Sequence, residues 1–339
     1  MRRGRELALA AATALACLFA GEGAARWLHQ RPWYDQLLDE QARAEGYVHE
    51  ATREGLRGGF PREAKAAGER RILLLGDSVT FGMGVLDDAD TFARRLEAQL
   101  GGEPGALPAG VTRVRVANAG QVGSLTGDWL ATLREQAPRV DPDLVLAVFF
   151  LRDGTSMRLM RDFFGPIRDE IAARNRASWL YRHLALFRVF RDRSDRLAVS
   201  ERYLARFERA YRGTREETAE WRRAQRNLAR LATRARRAGA GFGLVIFPVL
   251  VELGAEHPFA AIGKAVADFA ATRGIPSLDL LPAFRGQDAA ALWVSAFDQH
   301  PNARAHAIAA HALAPFARAL LRDAAGAAGA GATQPRARR

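Results

Sequence analysis

The sequence predicts an α/β fold in which a parallel sheet is covered by helices on both faces. Short apolar runs recur along the chain, amphipathic helical periodicity fills the intervals between them, and most runs are followed closely by a turn or breaker. Strands that alternate with helices form parallel sheets, because each helix carries the chain back to the starting edge. At 339 residues and 48% hydrophobic residues, the chain can bury a full core.

Five apolar runs are the predicted strands of this sheet. They are Ile72–Gly76, Val114–Ala117, Leu144–Phe150, Leu244–Phe247 and a weaker Leu278–Leu281. Helices are predicted after the first two runs, where apolar residues recur at helical spacing. The residues that carry this spacing are Phe92, Leu96 and Leu100 after the first run, and Trp129, Leu130 and Leu133 after the second.

A long interval separates the third strand from the fourth. Residues 155–241 are rich in arginine and have helical periodicity, so we expect a helical insertion that shapes the substrate site. The last helix is predicted over residues 303–321, with a kink at Pro315. We expect the folded domain to cover residues 70–322 and the Gly/Ala-rich tail, residues 323–339, to be disordered.

The N-terminus has the pattern of an export segment. Arg2, Arg3 and Arg5 precede an uncharged stretch from Leu7 to Gly21, and no good small-x-small cleavage site follows it. We therefore favour an uncleaved membrane anchor within residues 1–28, with a cleaved signal as the alternative. The basic start should stay in the cytoplasm, which places the rest of the chain outside it. Residues 29–69 are interpreted as a polar connector.

The net charge of +12 is an ambiguous guide to binding partners. The arginines are dispersed along helical stretches with glutamates between them, and no aromatic-basic recognition motif accompanies them, which disfavours nucleic acid. Contact with anionic lipid or an acidic glycan stays open. Cys17 is the single cysteine, so an intrachain disulfide and a cysteine-based zinc site are both excluded.

Residues that could take part in catalysis follow three of the predicted strands. Ser78 comes after the first strand, Gly120 after the second, and Arg152 after the third. Asp298 and His300 lie just before the last helix, and an extended segment would point both to the same side. The carboxyl ends of parallel strands form a crevice, so these groups can meet there. A serine becomes a nucleophile when a histidine takes its proton, and an aspartate fixes that histidine. His306 and His311 are rival imidazoles, but their helical positions favour packing or surface roles.

Two sequence blocks carry a family resemblance. Gly76-Asp77-Ser78-Val79-Thr80-Phe81-Gly82 resembles the first block of the SGNH, or GDSL, hydrolases, and Asp298-Gln299-His300-Pro301-Asn302 resembles their last block. Asn118-Ala119-Gly120 is similar to the second block. The resemblance implies a three-layer α/β/α fold with a flavodoxin-like parallel sheet. It also implies a Ser78, His300 and Asp298 triad that needs neither metal nor cofactor, with the backbone amides of Ser78 and Gly120 as oxyanion donors.

The third block departs from the family pattern. The family usually has Gly-x-Asn-Asp there, with the asparagine side chain as a further oxyanion donor, whereas this chain has Phe150-Leu151-Arg152-Asp153. A guanidinium also donates hydrogen bonds, so Arg152 is a candidate donor for the oxyanion. Because arginine is longer than asparagine, the direction in which Arg152 points decides whether it can serve.

The residues leave three functions open. The favoured one is a serine esterase or deacetylase that acts on an acylated small molecule, glycan or lipid of the cell envelope. The second is an O-acyltransferase of an envelope polysaccharide, which would share the acyl-serine and differ only in the acceptor. The third is a degenerate member retained for binding, which the replacement of asparagine by Arg152 suggests.

Overall fold

The computed structural model describes residues 2–28, 47–48, 51–102, 107–155, 157–295 and 298–332. They divide into two compact units, one made of residues 1–41 and 158–205 and the other of residues 42–157 and 206–339. Part of the predicted connector, residues 29–46, lies outside the described residues. The sheet and all of the predicted site residues belong to the second unit.

Each of the five predicted runs coincides with a strand of the sheet, although the fifth run extends beyond the end of its strand at Asp279. The strands are β1 (Thr52–Arg53), β2 (Leu56–Arg57), β3 (Glu69–Gly76), β4 (Arg113–Gly120), β5 (Leu144–Phe150), β6 (Gly241–Phe247) and β7 (Ser277–Asp279). Their order is β1-β2-β4-β3-β5-β6-β7, and the strands from β4 to β7 pair in parallel. The central position of β3 follows from its pairing with both β4 and β5.

Helices fill the intervals between the parallel strands, and further helices precede the first strand and follow the last one. They are α1 (Arg2–Leu28), α2 (Ser78–Phe81), α3 (Phe92–Gly102), α4 (Thr126–Val140), α5 (Met157–Ala177), α6 (Trp179–His183), α7 (Ala185–Arg212), α8 (Ala219–Arg237), α9 (Ala260–Thr272), α10 (Leu281–Phe284) and α11 (Ala303–Ala332). Short 3-10 turns cover Asp88–Asp90, Leu151–Gly154 and Ala290–Leu292.

The sheet is buried on both faces, which confirms the predicted three layers. Alternate strand residues point to opposite faces. On one face Ile72 and Leu74 share a core with Leu96 of α3 and Leu313 of α11. On the other face Phe149 packs against Trp221 of α8, with ring centroids 5.9 Å apart. A strand that is buried on both faces of its sheet has a continuous apolar run in its sequence, and for this reason the sequence predicted these strands clearly.

The predicted connector contributes to the sheet. Its second half forms the β1–β2 hairpin, and β2 pairs antiparallel with β4 at Arg57 and Asn118. Leu56 is fully buried, so this stretch belongs to the core of the second unit. The prediction of a polar connector across residues 29–69 was wrong here, because two-residue strands are too short to give an alternating pattern.

Arg57 is a buried arginine that holds the helix carrying Ser78. Its side chain is 1% exposed. Its Nη1 donates to the carbonyls of Phe81 and Gly82, at 2.8 and 2.5 Å, at the C-terminal end of α2. Its Nε donates to Asp88 Oδ1 at 2.8 Å. A cation at the C-terminus of a helix satisfies carbonyls that have no partner inside the helix.

The predicted insertion is shorter than residues 155–241. The stretch from residue 206 onward belongs to the unit that contains the sheet, and α8 is the helix that leads into β6. The stripe of Trp221, Leu228 and Leu231 on α8 is buried. An arginine-rich helix with one apolar stripe therefore serves as an ordinary crossover helix, and the separate unit takes only residues 158–205 from this region.

The C-terminal helix is longer than predicted. Helix α11 contains Pro315 and continues to Ala332, so residues 323–332 are helical where we expected disorder. Alanine has the highest helix propensity, which explains the extension of the helix into the Gly/Ala run. Residues 333–339 lie outside the described residues.

Helix α1 contains a stretch suited to a membrane. Among the helices of the described residues, it is the one long and apolar enough to cross a bilayer, over Leu9–Trp27. That window is 6% buried within the protein, and Leu9, Phe19 and Trp27 are more than two thirds exposed. These properties fit either a signal anchor or a signal peptide.

His306 of α11 is buried in the core and bonded to a neighbouring helix. Its Nδ1 accepts a hydrogen bond from the backbone N–H of Phe92 at 2.9 Å, and its ring stacks on that of Phe92. Burial, with the nearby cations Arg57 and Arg95, lowers the pKa of His306 to about 3, against a smaller opposing effect of the Pro301 carbonyl. A neutral imidazole is therefore part of the packing.

We predict that Arg57→Met lowers the free energy of unfolding by about 3 kcal/mol, because buried carbonyls and Asp88 lose their charged donor. Chemical denaturation measures the loss. Arg53→Met is the matched control, since Arg53 is exposed on the neighbouring strand and its replacement should cost less than about 0.5 kcal/mol. Equal stability losses in the two variants would contradict the role given to Arg57.

The buried imidazole predicts a dependence of stability on pH. The unfolded chain binds a proton on this histidine near pH 6.5, whereas folded His306 titrates at about 3. The free energy of unfolding should therefore fall as the pH drops from about 6.5 toward 3, by up to about 1.4 kcal/mol per pH unit from this group. His306→Asn should flatten that part of the stability curve relative to His311→Asn, which changes an exposed histidine on the same helix. Parallel curves for the two variants would contradict the prediction.

Candidate active site

Ser78 lies at the point where the central strand β3 ends. Gly76 closes the strand, Asp77 is the N-cap of α2, and Ser78 is the first residue of that helix. Asp77 Oδ1 accepts a hydrogen bond from the Val79 N–H at 2.8 Å, which fixes the start of the helix. The strand-to-helix turn therefore presents the serine side chain at the carboxyl edge of the sheet, as predicted.

Glycines let this turn approach the neighbouring strands. A Cβ on Gly76 would lie 1.8 Å from Thr80 Oγ1, and a Cβ on Gly120 would lie 2.3 Å from the backbone nitrogen of Phe81. Any side chain at either position would push α2 away from the strand ends. The glycines quoted from the first two sequence blocks therefore have a packing reason in this chain.

The segment before α11 brings a histidine to the same edge. Asn302 caps α11 by accepting from the backbone N–H groups of Arg304 and Ala305, and its Nδ2 donates to the carbonyls of Ala291 and Trp293, both at 3.0 Å. The Val294 N–H donates to the His300 carbonyl at 2.9 Å. These bonds tie the two ends of the loop together and hold His300 in place.

The three predicted triad side chains form one hydrogen-bonded chain. His300 Nε2 lies 3.0 Å from Ser78 Oγ, and His300 Nδ1 lies 2.5 Å from Asp298 Oδ1. The same carboxylate oxygen accepts from the His300 backbone N–H at 2.9 Å. This is the order that proton transfer from serine to imidazole needs, with a carboxylate behind the ring.

The carboxylate behind the imidazole is held in its charged form. Burial of Asp298 disfavours ionisation, but the side-chain hydrogen bond from His300, its charge and its backbone N–H outweigh burial and lower the pKa of Asp298. An ionised Asp298 fixes the ring with Nδ1 protonated, which leaves Nε2 to accept a proton from Ser78.

The rival histidines occupy other places. His306 is buried in the core against Phe92, and His311 is exposed on α11. Neither takes the position that His300 holds beside Ser78.

The Gly120 amide is already engaged. It donates to Asn118 Oδ1 at 3.0 Å, while Asn118 Nδ2 donates to the Thr80 carbonyl at 2.9 Å. An oxyanion would have to compete with Asn118 for the Gly120 N–H. The Ser78 N–H belongs to the first turn of α2, where amides have no carbonyl partner inside the helix.

Arg152 binds the residue that caps α2. Its Nη2 donates to Asp77 Oδ2 at 2.7 Å, in a pair where the aspartate side chain is 1% exposed. The side chain reaches past the end of β5 to the residue before Ser78. This Nη2 would have to leave Asp77 before it could donate to an oxyanion, the role expected for Arg152 from the sequence.

Asp153 lies next to this ion pair and is buried. Burial, and then repulsion from Asp77, raise its pKa well above the ordinary value, against Arg152 and the Phe150 N–H. Its Oδ2 accepts from that N–H at 2.8 Å. The direction of this shift favours the neutral form of Asp153 beside the Asp77–Arg152 pair.

Sequence reasoning missed two residues that position the site. Arg57 binds the C-terminal end of α2, and Asn302 was noted only as part of the last block. A signal for Arg57 was the Gly58-Gly59 pair after Leu56, which marks a turn; both glycines have φ of 68°. A signal for Asn302 was its place directly before a predicted helix, where asparagine is a preferred N-cap.

The chain has similarity to several solved structures and to one protein family. No curated protein sequence matches the chain at a significant level. Three solved structures that resemble it are the α/β hydrolase LAE5 from the Lake Arreo metagenome, the acetylxylan esterase Axe2 from Geobacillus stearothermophilus, and TesA. Their identities are 19%, 16% and 18%, and their TM-scores are 0.44, 0.42 and 0.44. The matches cover 76%, 76% and 74% of this chain and 98%, 96% and 99% of the respective structures.

A family model matches residues 74–308, a span that includes Ser78, Asp298 and His300. That span is more than half of the 339 residues, and the family is described as GDSL-like lipase/acylhydrolase. The resemblance seen in the sequence is therefore confirmed: this protein belongs to the GDSL-like lipase/acylhydrolase family and is a hydrolase that acts on ester bonds.

Proposed function

We propose that this protein is a serine esterase in which Ser78 is the nucleophile, His300 the general base and Asp298 its orienting partner. The hydrogen-bonded chain from Ser78 Oγ through the imidazole to the Asp298 carboxylate carries the proposal. The 3.0 Å between Ser78 Oγ and His300 Nε2 is within the reach that a proton transfer requires, and the 2.5 Å contact with Asp298 fixes the ring.

The first half-reaction acylates the serine. Ser78 Oγ attacks the ester carbonyl while its proton passes to His300 Nε2, and Asp298 stabilises the imidazolium that results. The tetrahedral intermediate collapses, the bond to the leaving oxygen breaks, and His300 returns the proton to the departing alcohol. In the second half, His300 takes a proton from water, the hydroxide attacks the acyl-serine, and the proton returns to Ser78 as the carboxylic acid leaves.

Charge develops on the carbonyl oxygen in both halves. The Ser78 N–H is the first proposed donor to this oxyanion, since it lies at the start of α2. Gly120 can contribute only if its N–H leaves Asn118. Each such donor is typically worth about 3 to 4 kcal/mol in the transition state, so a site with fewer donors is a slower enzyme.

The proposed substrate is an acyl ester, such as an acetyl group, on an envelope glycan or lipid. The proposed location supports this choice: the basic Arg2, Arg3 and Arg5 precede the apolar window Leu9–Trp27, and an uncleaved anchor with this charge pattern would hold the rest of the chain outside the cytoplasm. If the segment is instead removed as a signal peptide, the enzyme is released on the same side of the membrane.

We predict that Ser78→Ala and His300→Asn each lower the turnover of p-nitrophenyl acetate by at least about 10³-fold, because each removes a member of the proton-transfer chain. Initial rates with purified chains measure the loss. Ser277→Ala and His311→Asn are the matched controls and should keep the wild-type rate, since Ser277 begins β7 and His311 is exposed on α11. Wild-type turnover by Ser78→Ala would contradict the proposed nucleophile.

A second measurement separates hydrolysis from transfer. An esterase supplied with an acetylated oligosaccharide should release free acetate, whereas an O-acyltransferase should move the acetyl group to a second oligosaccharide. A fluorophosphonate probe that labels Ser78 in the wild-type chain distinguishes both from a member that only binds.

We also predict that Asp77 and Arg152 are energetically coupled. Arg152→Asn should lower the free energy of unfolding by about 3 kcal/mol, because a buried carboxylate is left without its cation. The double variant Asp77→Asn with Arg152→Asn should lose about 1 to 3 kcal/mol less than the sum of the single variants, measured by chemical denaturation. Additive losses would show that the pair does not act as a unit.

A further inference from the structure

Helix α1 carries a charged residue, Glu22, near the C-terminal end of its apolar window. The window runs from Leu9 to Trp27, and Glu22 is five residues before its end. At 1.5 Å per residue the window is about 28 Å long, close to the thickness of the hydrocarbon core, so Glu22 lies about 7 Å below the level of Trp27. A carboxylate at that depth requires partners, because lipid supplies none.

The partners of Glu22 come from the turn between α6 and α7. Glu22 Oε1 accepts from the Ala185 N–H and Oε2 from the Leu186 N–H, both at 2.9 Å, which are the first amides of α7. Arg26 donates to Glu22 at 2.8 Å and to the His183 carbonyl at 2.8 Å. These contacts all lie within one compact unit. The turn must therefore enter the membrane interface to the depth at which Glu22 sits.

The outer surface of this turn is apolar and aromatic. Trp179 and Phe190 are 60% and 65% exposed, and Leu180 and Leu184 are also exposed. The buried groups of this region are both polar and apolar: Asn175, Asp192 and Asp195 are buried, and so are Tyr181 and Ala185. Large apolar side chains exposed on the outside suit a lipid surface.

The charges around the turn suit the head groups. Six arginines and two aspartates lie between residues 174 and 195, and both aspartates are buried. Arginine beside exposed tryptophan is the composition of interfacial segments, in which the ring lies at head-group level and the cation meets phosphate.

We infer that the surface formed by Trp179, Leu180, Leu184 and Phe190 inserts into the outer leaflet of the bilayer that α1 crosses. We call it the α6–α7 lipid surface. The inference rests on the proposed anchoring of the chain by α1. The α6–α7 lipid surface would be a second membrane contact of the chain. It lies in the helical insertion and is connected to α1 through Glu22.

The test places single fluorophores on the full-length chain in vesicles of phosphatidylcholine and phosphatidylglycerol in equal parts. Cys17→Ser removes the native cysteine, and Trp179→Cys or Phe190→Cys then supplies one label site on the surface. Arg202→Cys is the matched control, because Arg202 is exposed on the same helix about 18 Å beyond Phe190. Quenching by lipids with a doxyl group near the head group reports contact.

We expect strong quenching of labels at positions 179 and 190 and little at position 202. Quenching at 179 and 190 no greater than at 202 would overturn the inference. A label on native Cys17, in the middle of α1, tests the anchor separately with deep doxyl lipids. A quenched Cys17 with unquenched 179 and 190 rejects the lipid surface alone, whereas an unquenched Cys17 rejects the anchor. If Trp179→Cys or Phe190→Cys lowers the melting temperature relative to Cys17→Ser alone, Leu180→Cys takes its place as the label site.

Discussion

The active-site geometry depends on two buried charges that hold the short helix α2 at its ends. Asp77 caps the N-terminus through the Val79 N–H, and Arg57 binds the last carbonyls at the C-terminus. A four-residue helix has almost no stability of its own, because nucleation costs more than one turn returns. The orientation of Ser78 is therefore set by the residues around α2. Gly76 and Gly120 also let α2 lie close to the ends of β3 and β4, because a side chain at either position would collide with the helix.

The ion pair between Asp77 and Arg152 connects the N-cap of α2 to the end of β5. The guanidinium of Arg152 binds the N-cap residue of α2, so the end of β5 helps to hold the turn that presents Ser78. Burial and repulsion from Asp77 raise the pKa of Asp153 beside the pair, a direction that favours less negative charge in this buried cluster.

Much of the fold was predictable because its strands are buried on both faces. A run such as Leu144–Phe150 has no polar interruption, and the structure gives β5 the same bounds. Ser78 and His300 could also be identified as candidate site residues from the sequence, because each lies in a block with recognisable turn or helix-cap residues. The β1–β2 hairpin was missed because its strands have two residues each, and Arg57 was missed because arginine is normally a surface residue. The direction of Arg152 depends on a partner 75 residues away in sequence, which no local pattern reveals.

The contact of Glu22 with the first amides of α7 also changes how the N-terminal segment is understood. A leader peptide is ordinarily disposable once a protein has been exported. A cut after residue 28 would remove the acceptor for the N–H groups of Ala185 and Leu186 at the start of α7. The helices of residues 158–205 therefore take part of their own hydrogen bonding from α1, and loss of that segment would lower the stability of this unit.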